Sequence, residues 1–233
     1  MTRSIKVSVL LPAYNEAGTI ARCLEAVYER NPGRELEVIV VDDGSTDGTD
    51  TAAQAAVRPG TRVIKHESNA GKGAAIRTAL AAASGDVVLI QDADLEYDPA
   101  DYAALLKPFE EGRAEIVYGS RILKPDNGRS YARYYWGGRA LSWWTNMLYG
   151  STITDEATCY KVFKTALLRS FDLRCTGFEF CPEATAKALR RGIDIVEVPI
   201  AYHPRRIEDG KKIRWHDGVT AVWTLLKYRW GRA

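Results

Sequence analysis

The chain has 233 residues, a formal net charge of +2, 46% hydrophobic and 27% charged residues. That balance excludes a disordered chain, a collagen-like repeat and a coiled coil, and a chain this long buries enough surface for a core without disulfides. No apolar run nears the roughly 20 residues that span a bilayer, and the first residues carry no secretory pattern.

Short apolar runs predict strands at 6–11, 36–41, 61–65, 87–90 and 115–118, separated by helical stretches near 17–30, 47–56, 71–83 and 99–111. Such alternation predicts an α/β fold with a mostly parallel sheet flanked by helices. Open sheets of that kind bind ligands beyond the C-terminal strand ends. Polar residues gather at those ends here: Tyr14-Asn15-Glu16, Asp42-Asp43 and Asp92-Ala93-Asp94. Further on come an aromatic, arginine-rich stretch at 128–150, a strand at 157–163, a helix at 178–191, a strand at 193–200, a basic loop at 203–215 and a last helix at 216–230. With no repeat or low-complexity linker, one domain over 1–233 is expected, its first 120 residues an α/β half and the rest a C-terminal elaboration.

Charge is unevenly spread. Segment 121–139 carries +4 and segment 205–233 carries +5, which leaves −7 for the remainder. The asymmetry points to an anionic partner for the second half. Cys23, Cys159, Cys175 and Cys181 show no C-x-x-C spacing and read as reduced thiols of a cytosolic protein.

Asp92-Ala93-Asp94 follows a buried strand, and a turn there brings two carboxylates to one hard divalent cation, with Glu96 in reach. The competing reading is a helix N-cap cluster, since Asp98-Pro99 opens the next helix. After the second strand, Ser45 or Asp47 suits a helix cap, while Asp43, with Asp42 second, suits the N–H of a base or a ribose hydroxyl. Asn69-Ala70-Gly71-Lys72-Gly73 opens a helix whose free N–H groups suit phosphate. Lys72 is either a donor-site cation or a surface residue.

Taken in order, Pro12-Ala13-Tyr14-Asn15-Glu16, Val41-Asp42-Asp43-Gly44-Ser45-Thr46-Asp47, Gly71-Lys72-Gly73, Asp92-Ala93-Asp94 and Gly119-Ser120-Arg121 resemble glycosyltransferase family 2, and within it the dolichyl- or polyprenyl-phosphate sugar transferases. The resemblance implies a GT-A fold, a nucleotide-diphosphate sugar donor (GDP-mannose or UDP-glucose), Mg²⁺ or Mn²⁺, and inversion at the anomeric carbon. By motif it implies that Pro12, Tyr14, Glu16 and Asp43 line the nucleoside pocket, that Asp92, Asp94 and Glu96 hold the metal, and that Arg121 approaches a phosphate. Lys72, Arg205, Arg206, Lys211 and Lys212 would face donor and acceptor phosphates, while His203 reads as structural. Asp155 sits where the family places acceptor-site acids and is the candidate base. A sugar hydroxyl needs one; a lipid phosphate, already ionised near neutral pH, does not. The run Thr158-Cys159-Tyr160 departs from the Ser-Gly-Phe-like sequence of dolichyl-phosphate mannose synthases.

All six tryptophans lie from Trp136 onward. On a helical wheel Tyr134, Leu141 and Leu148 oppose Trp136, Trp143 and Met147, and the last helix carries Val219, Val222, Trp223, Leu226 and Trp230 beside Lys227 and Arg229. Tryptophan with basic residues suits a membrane interface, and packing on the sheet suits the same spacing. The expectation is a peripheral enzyme on the inner membrane face. The rivals are transfer to a sugar hydroxyl in cell-wall or exopolysaccharide synthesis and, outside catalysis, a nucleotide- or nucleic-acid-binding module.

Overall fold

The computed structural model describes residues 5–30, 35–128, 131–205, 212 and 215–231. Its sheet holds β1 (Val7–Ala13), β2 (Leu36–Asp42), β3 (Thr61–Lys65), β4 (Val87–Ile90), β5 (Ile116–Ser120), β6 (Lys161–Lys164) and β7 (Ile195–Pro199) in the order β3-β2-β1-β4-β6-β5-β7. Around it lie α1 (Ile20–Glu29), α2 (Thr49–Ala55), α3 (Lys72–Ala82), a 3-10 turn (Pro99–Asp101) leading into α4 (Tyr102–Glu110), α5 (Ala132–Tyr149), α6 (Thr165–Ser170), α7 (Phe180–Arg190) and α8 (Trp215–Trp230).

The central strands are apolar along their length because helices cover both faces of the sheet. Alternate residues part to opposite sides. Val9, Leu11, Val38, Val40 and Leu89 pack with Leu24 and Val27 of α1 and Leu105 of α4. Leu10, Ile39, Val41, Val88 and Ile90 pack with Ile76 and Leu80 of α3 and Phe180 of α7. A smaller cluster joins Leu141, Trp144 and Leu148 of α5 to Ala186 of α7 and to Leu225 and Tyr228 of α8.

One region departs from the sequence-based expectation. The strand expected at 157–163 starts only at Lys161, is followed by the unforeseen α6, and runs antiparallel to both β4 and β5. Hydrophobic pattern carries no strand direction. The reversal means that 121–160 leaves β5 and enters β6 at the same edge of the sheet, the edge where β1, β2 and β4 end. In α8, whose apolar stripe left membrane contact and packing on the sheet both open, the buried residues are Ala221, Thr224, Leu225 and Tyr228. Of that stripe Val219, Trp223 and Trp230 are exposed. No helix of the described residues is long and apolar enough to cross a membrane.

Candidate active site

The loops after β1 and β2 brace each other. Asn15 takes a left-handed φ of 50°. Its N–H donates to Ser45 Oγ at 2.9 Å, and its Oδ1 accepts the Thr46 N–H at 2.9 Å. The Glu16 N–H donates to Thr49 Oγ1 at 2.8 Å. Asp47, not Ser45, accepts the Thr49 N–H at the start of α2, at 3.0 Å.

Asp43 is 2% exposed and fully engaged. Its oxygens face His66 Nδ1 at 2.7 Å and accept the Ala70 N–H at 3.0 Å and the Gly71 N–H at 2.7 Å. Asp43 thus shapes the loop that launches α3, a structural role beside the nucleoside contact expected of it. Asp42 accepts the Ser45 N–H with Oδ1 at 3.2 Å, while its Oδ2 is buried with no partner. An unpaired buried carboxylate oxygen is costly, so Asp42 is the better-placed acceptor at this strand end. Pro12 is buried at the end of β1, and Tyr14 is half-buried just beyond it.

Three carboxylates at this edge are met by three cations. Lys72, the first residue of α3, places Nζ 2.5 Å from Asp92 Oδ1 and 3.2 Å from Cys159 Sγ. Arg205 donates to Asp94 Oδ2 at 3.0 Å and to both oxygens of Glu16 at 3.2 Å. Lys212 lies 2.6 Å from Glu16 Oε1 and also donates to the Tyr14 carbonyl. Arg206 and Lys211 lie outside the described residues. Lys72 is thus a largely buried, ion-paired cation and not a free surface residue.

The electrostatics follow from these contacts. Burial works to raise the Asp92 and Glu16 pKa values, but Lys72 at Asp92, and Lys212, Thr19 and Arg205 at Glu16, hold both below the usual range. At Asp94 burial, together with the charges of Asp92 and Glu96, wins and lifts the pKa to about 6.

Glu96 does not join the pair as expected. Its Oε1 accepts the Arg205 N–H at 2.8 Å and its Oε2 the Tyr202 hydroxyl at 3.0 Å, so it fixes the chain after β7. Among the described residues no three His, Cys, Asp or Glu side chains converge on one metal position. Asp92 and Asp94 by themselves fit a hard divalent cation, which takes one or two carboxylates. The repulsion that raises the Asp94 pKa is what such an ion relieves.

In the turn before β6, Asp155 is 3% exposed and clamped. Arg121 donates to it through its backbone N–H at 2.9 Å, through Nε at 2.7 Å and through Nη2 at 2.7 Å. Burial alone would raise the Asp155 pKa, and the Arg121 guanidinium outweighs it and holds the carboxyl below the usual range. Glu197 of β7 accepts the Thr154 and Asp155 N–H groups at 2.8 and 3.0 Å. His66, Cys159 and Glu197 all went unrecognised in the sequence. Glu197 did leave a signal there, as the lone charge inside Ile195-Val196-Glu197-Val198.

A family model for glycosyl transferase family 2 matches residues 8–175. The chain belongs to glycosyltransferase family 2. That membership counts against the reading as a non-catalytic nucleotide- or nucleic-acid-binding module. Among relatives, the low-salt glycan biosynthesis hexosyltransferase Agl6 of Haloferax volcanii is 32% identical over 206 residues, covering 87% of this chain and 49% of the relative. The chain thus spans about half the length of that relative. The undecaprenyl-phosphate mannosyltransferase of Micrococcus luteus is 29% identical over 251 residues, covering 98% and 95% of the two chains. The crystal structure of glucosyl-3-phosphoglycerate synthase from Mycobacterium tuberculosis with uridine diphosphate superposes with a TM-score of 0.76 at 25% identity, covering 97% of this chain and 80% of that one. The mostly parallel sheet flanked by helices is the GT-A fold that this neighbour shares.

Proposed function

We propose that this chain moves a hexose, with inversion, from a nucleotide-diphosphate sugar (GDP-mannose or UDP-glucose) to a polyprenyl or dolichyl phosphate, acting peripherally on the inner membrane face. The observation that carries the reading is the state of Asp155. A carboxylate that accepts three hydrogen bonds from Arg121, with its pKa held low, is a poor base for a sugar hydroxyl. A phosphate acceptor arrives ionised and needs none.

In this reading an acceptor phosphate oxygen attacks the anomeric carbon. The bond from that carbon to the donor phosphate oxygen breaks, and the electron pair leaves with the nucleoside diphosphate. Lys72, Arg205 and Lys212 bind the diphosphate, Arg121 faces a phosphate, and Asp42 accepts from the nucleoside beside Pro12 and Tyr14. Asp92 and Asp94 would hold Mg²⁺ or Mn²⁺, which supplies neutralisation of the charge that grows on the leaving group. The name of the Micrococcus luteus relative supports a lipid phosphate acceptor. Two exposed aromatic rows support the membrane: Trp136, Trp143 and Met147 on α5, and Trp215, Val219, Trp223 and Trp230 on α8, with Arg133 and Lys227 among them. The second reading, transfer to a hydroxyl of a small or sugar acceptor, draws on the likeness to glucosyl-3-phosphoglycerate synthase and requires Arg121 to release Asp155.

The test offers UDP- and GDP-sugars with Mg²⁺ or Mn²⁺, with and without polyprenyl phosphate, beside Asp94→Ala. Sugar on the lipid phosphate, lost in the variant, supports the proposal. Donor turnover only with a hydroxyl acceptor overturns it in favour of the second reading.

A further inference from the structure

The backbone of the Asp155 turn is held by side chains. Four consecutive amides, those of Ile153, Thr154, Asp155 and Glu156, donate to Asn146 Oδ1 at 2.9 Å, Glu197 Oε2 at 2.8 Å, Glu197 Oε1 at 3.0 Å and Ser142 Oγ at 3.0 Å. Asn146 Nδ2 also donates to the Ile153 carbonyl at 2.9 Å, and Arg139 Nη1 reaches the Thr154 carbonyl at 3.4 Å. Arg139, Ser142 and Asn146 are spaced three and four residues apart, so they share one face of α5. Other positions of the same helix turn Trp136, Trp143 and Met147 outward at 67%, 63% and 52% exposure. One rigid element therefore grips the segment carrying Asp155, and through it Arg121, while it presents aromatic rings to its surroundings. Because the turn makes few backbone bonds of its own, a shift or stiffening of α5 is passed to the Asp155–Arg121 clamp.

We propose that Arg139, Ser142 and Asn146 are positioning residues that tie the acceptor-side turn to a membrane-seated helix, so that docking raises the transfer rate itself and not just the local acceptor concentration. The inference rests on the membrane reading above.

The test holds the acceptor in solution, as a short water-soluble isoprenyl phosphate, and adds acceptor-free vesicles of phosphatidylcholine and phosphatidylglycerol to the full chain with donor and Mn²⁺. The wild type co-sediments with the vesicles, and its kcat rises on the order of fivefold or more, the low end of site-to-site couplings. Asn146→Ala still co-sediments and its kcat no longer responds to vesicles. Asn146→Asp keeps the acceptor for the Ile153 N–H, loses the donor, and responds partially. In the wild type, exchange of the Ile153 and Glu156 amides slows on docking, a readout independent of any variant's folding. Co-sedimentation with no rise in kcat, or a rise undiminished in Asn146→Ala, overturns the inference and leaves the membrane reading standing. Failure to co-sediment overturns both.

Discussion

At Asp94, burial and the carboxylates of Asp92 and Glu96 raise the pKa to about 6. A raised acid holds its proton in the folded state where the unfolded chain has lost it. Its contribution to stability therefore declines as pH rises from the ordinary carboxylate range to about 6. Asp94→Asn is expected to flatten that limb of the Tm-against-pH curve. A metal that needs the ionised carboxylate must displace this proton, so Mn²⁺ affinity measured with a nucleoside diphosphate should fall by up to roughly tenfold per pH unit below 6. Asp155 has the opposite sign. Its lowered pKa gives stability that is complete at neutral pH and lost as pH falls through the folded value. Asp155→Asn leaves the largely buried Arg121 guanidinium without its counter-charge and should cost about 3 kcal/mol in urea unfolding. The carboxylates themselves were legible in the sequence, because strand ends with Asp pairs are conspicuous. Their partners were not. Asp43 meets His66 and the Ala70 and Gly71 amides, and nothing in the linear spacing of residues 43 and 66 announces that contact.

The elements divide in the same way. Strands β1 to β5 and helices α1 to α4 stand close to where apolar runs and helical spacing put them, because burial on both faces writes itself into composition. The reversed β6 and the short α6 left no such trace, and yet β6 returns the Asp155 segment to the donor edge. The start of α3 is the tightest junction. Gly71 has a φ of 95°, and a Cβ there would run into the Thr176 carbonyl. Gly71→Ala should displace the loop, withdraw the N–H given to Asp43, and misplace Lys72. The expected result is a loss of tenfold or more in kcat/KM for the nucleotide sugar, about 1.4 kcal/mol of transition-state stabilisation, with global stability falling less than in a core deletion. Helix α8 is anchored by Tyr228, whose hydroxyl donates to Glu183 Oε1 at 2.8 Å, beside Lys187 at 2.6 Å from the same oxygen. That buried polar anchor explains why the inward face of α8 differs from its most apolar stripe.

Across the whole molecule, the outward tryptophans of α5 and α8 make a prediction that separates binding from folding. Trp223 and Trp230 are 64% and 70% exposed. Changing both to Ser should alter stability by no more than about 0.5 kcal/mol each, the usual range for surface positions, while sharply weakening sedimentation with anionic vesicles. The uneven charge of the sequence also finds part of its answer within the chain. Basic residues from its end, Arg205 and Lys212, close on acidic residues from its beginning, Glu16 and Asp94. With Lys72 on Asp92, three positive groups balance three negative ones. A site so balanced offers little net field to either ligand alone: a cation must compete with ammonium and guanidinium groups already in place, and a diphosphate faces carboxylates still holding its partners. Arriving together, the two exchange counter-ions with the protein, so each should strengthen the other's binding by the same factor, as linkage requires. Titration calorimetry of metal, nucleotide and the two combined would read that factor directly, and a value near one would mean that the internal ion pairs yield to neither.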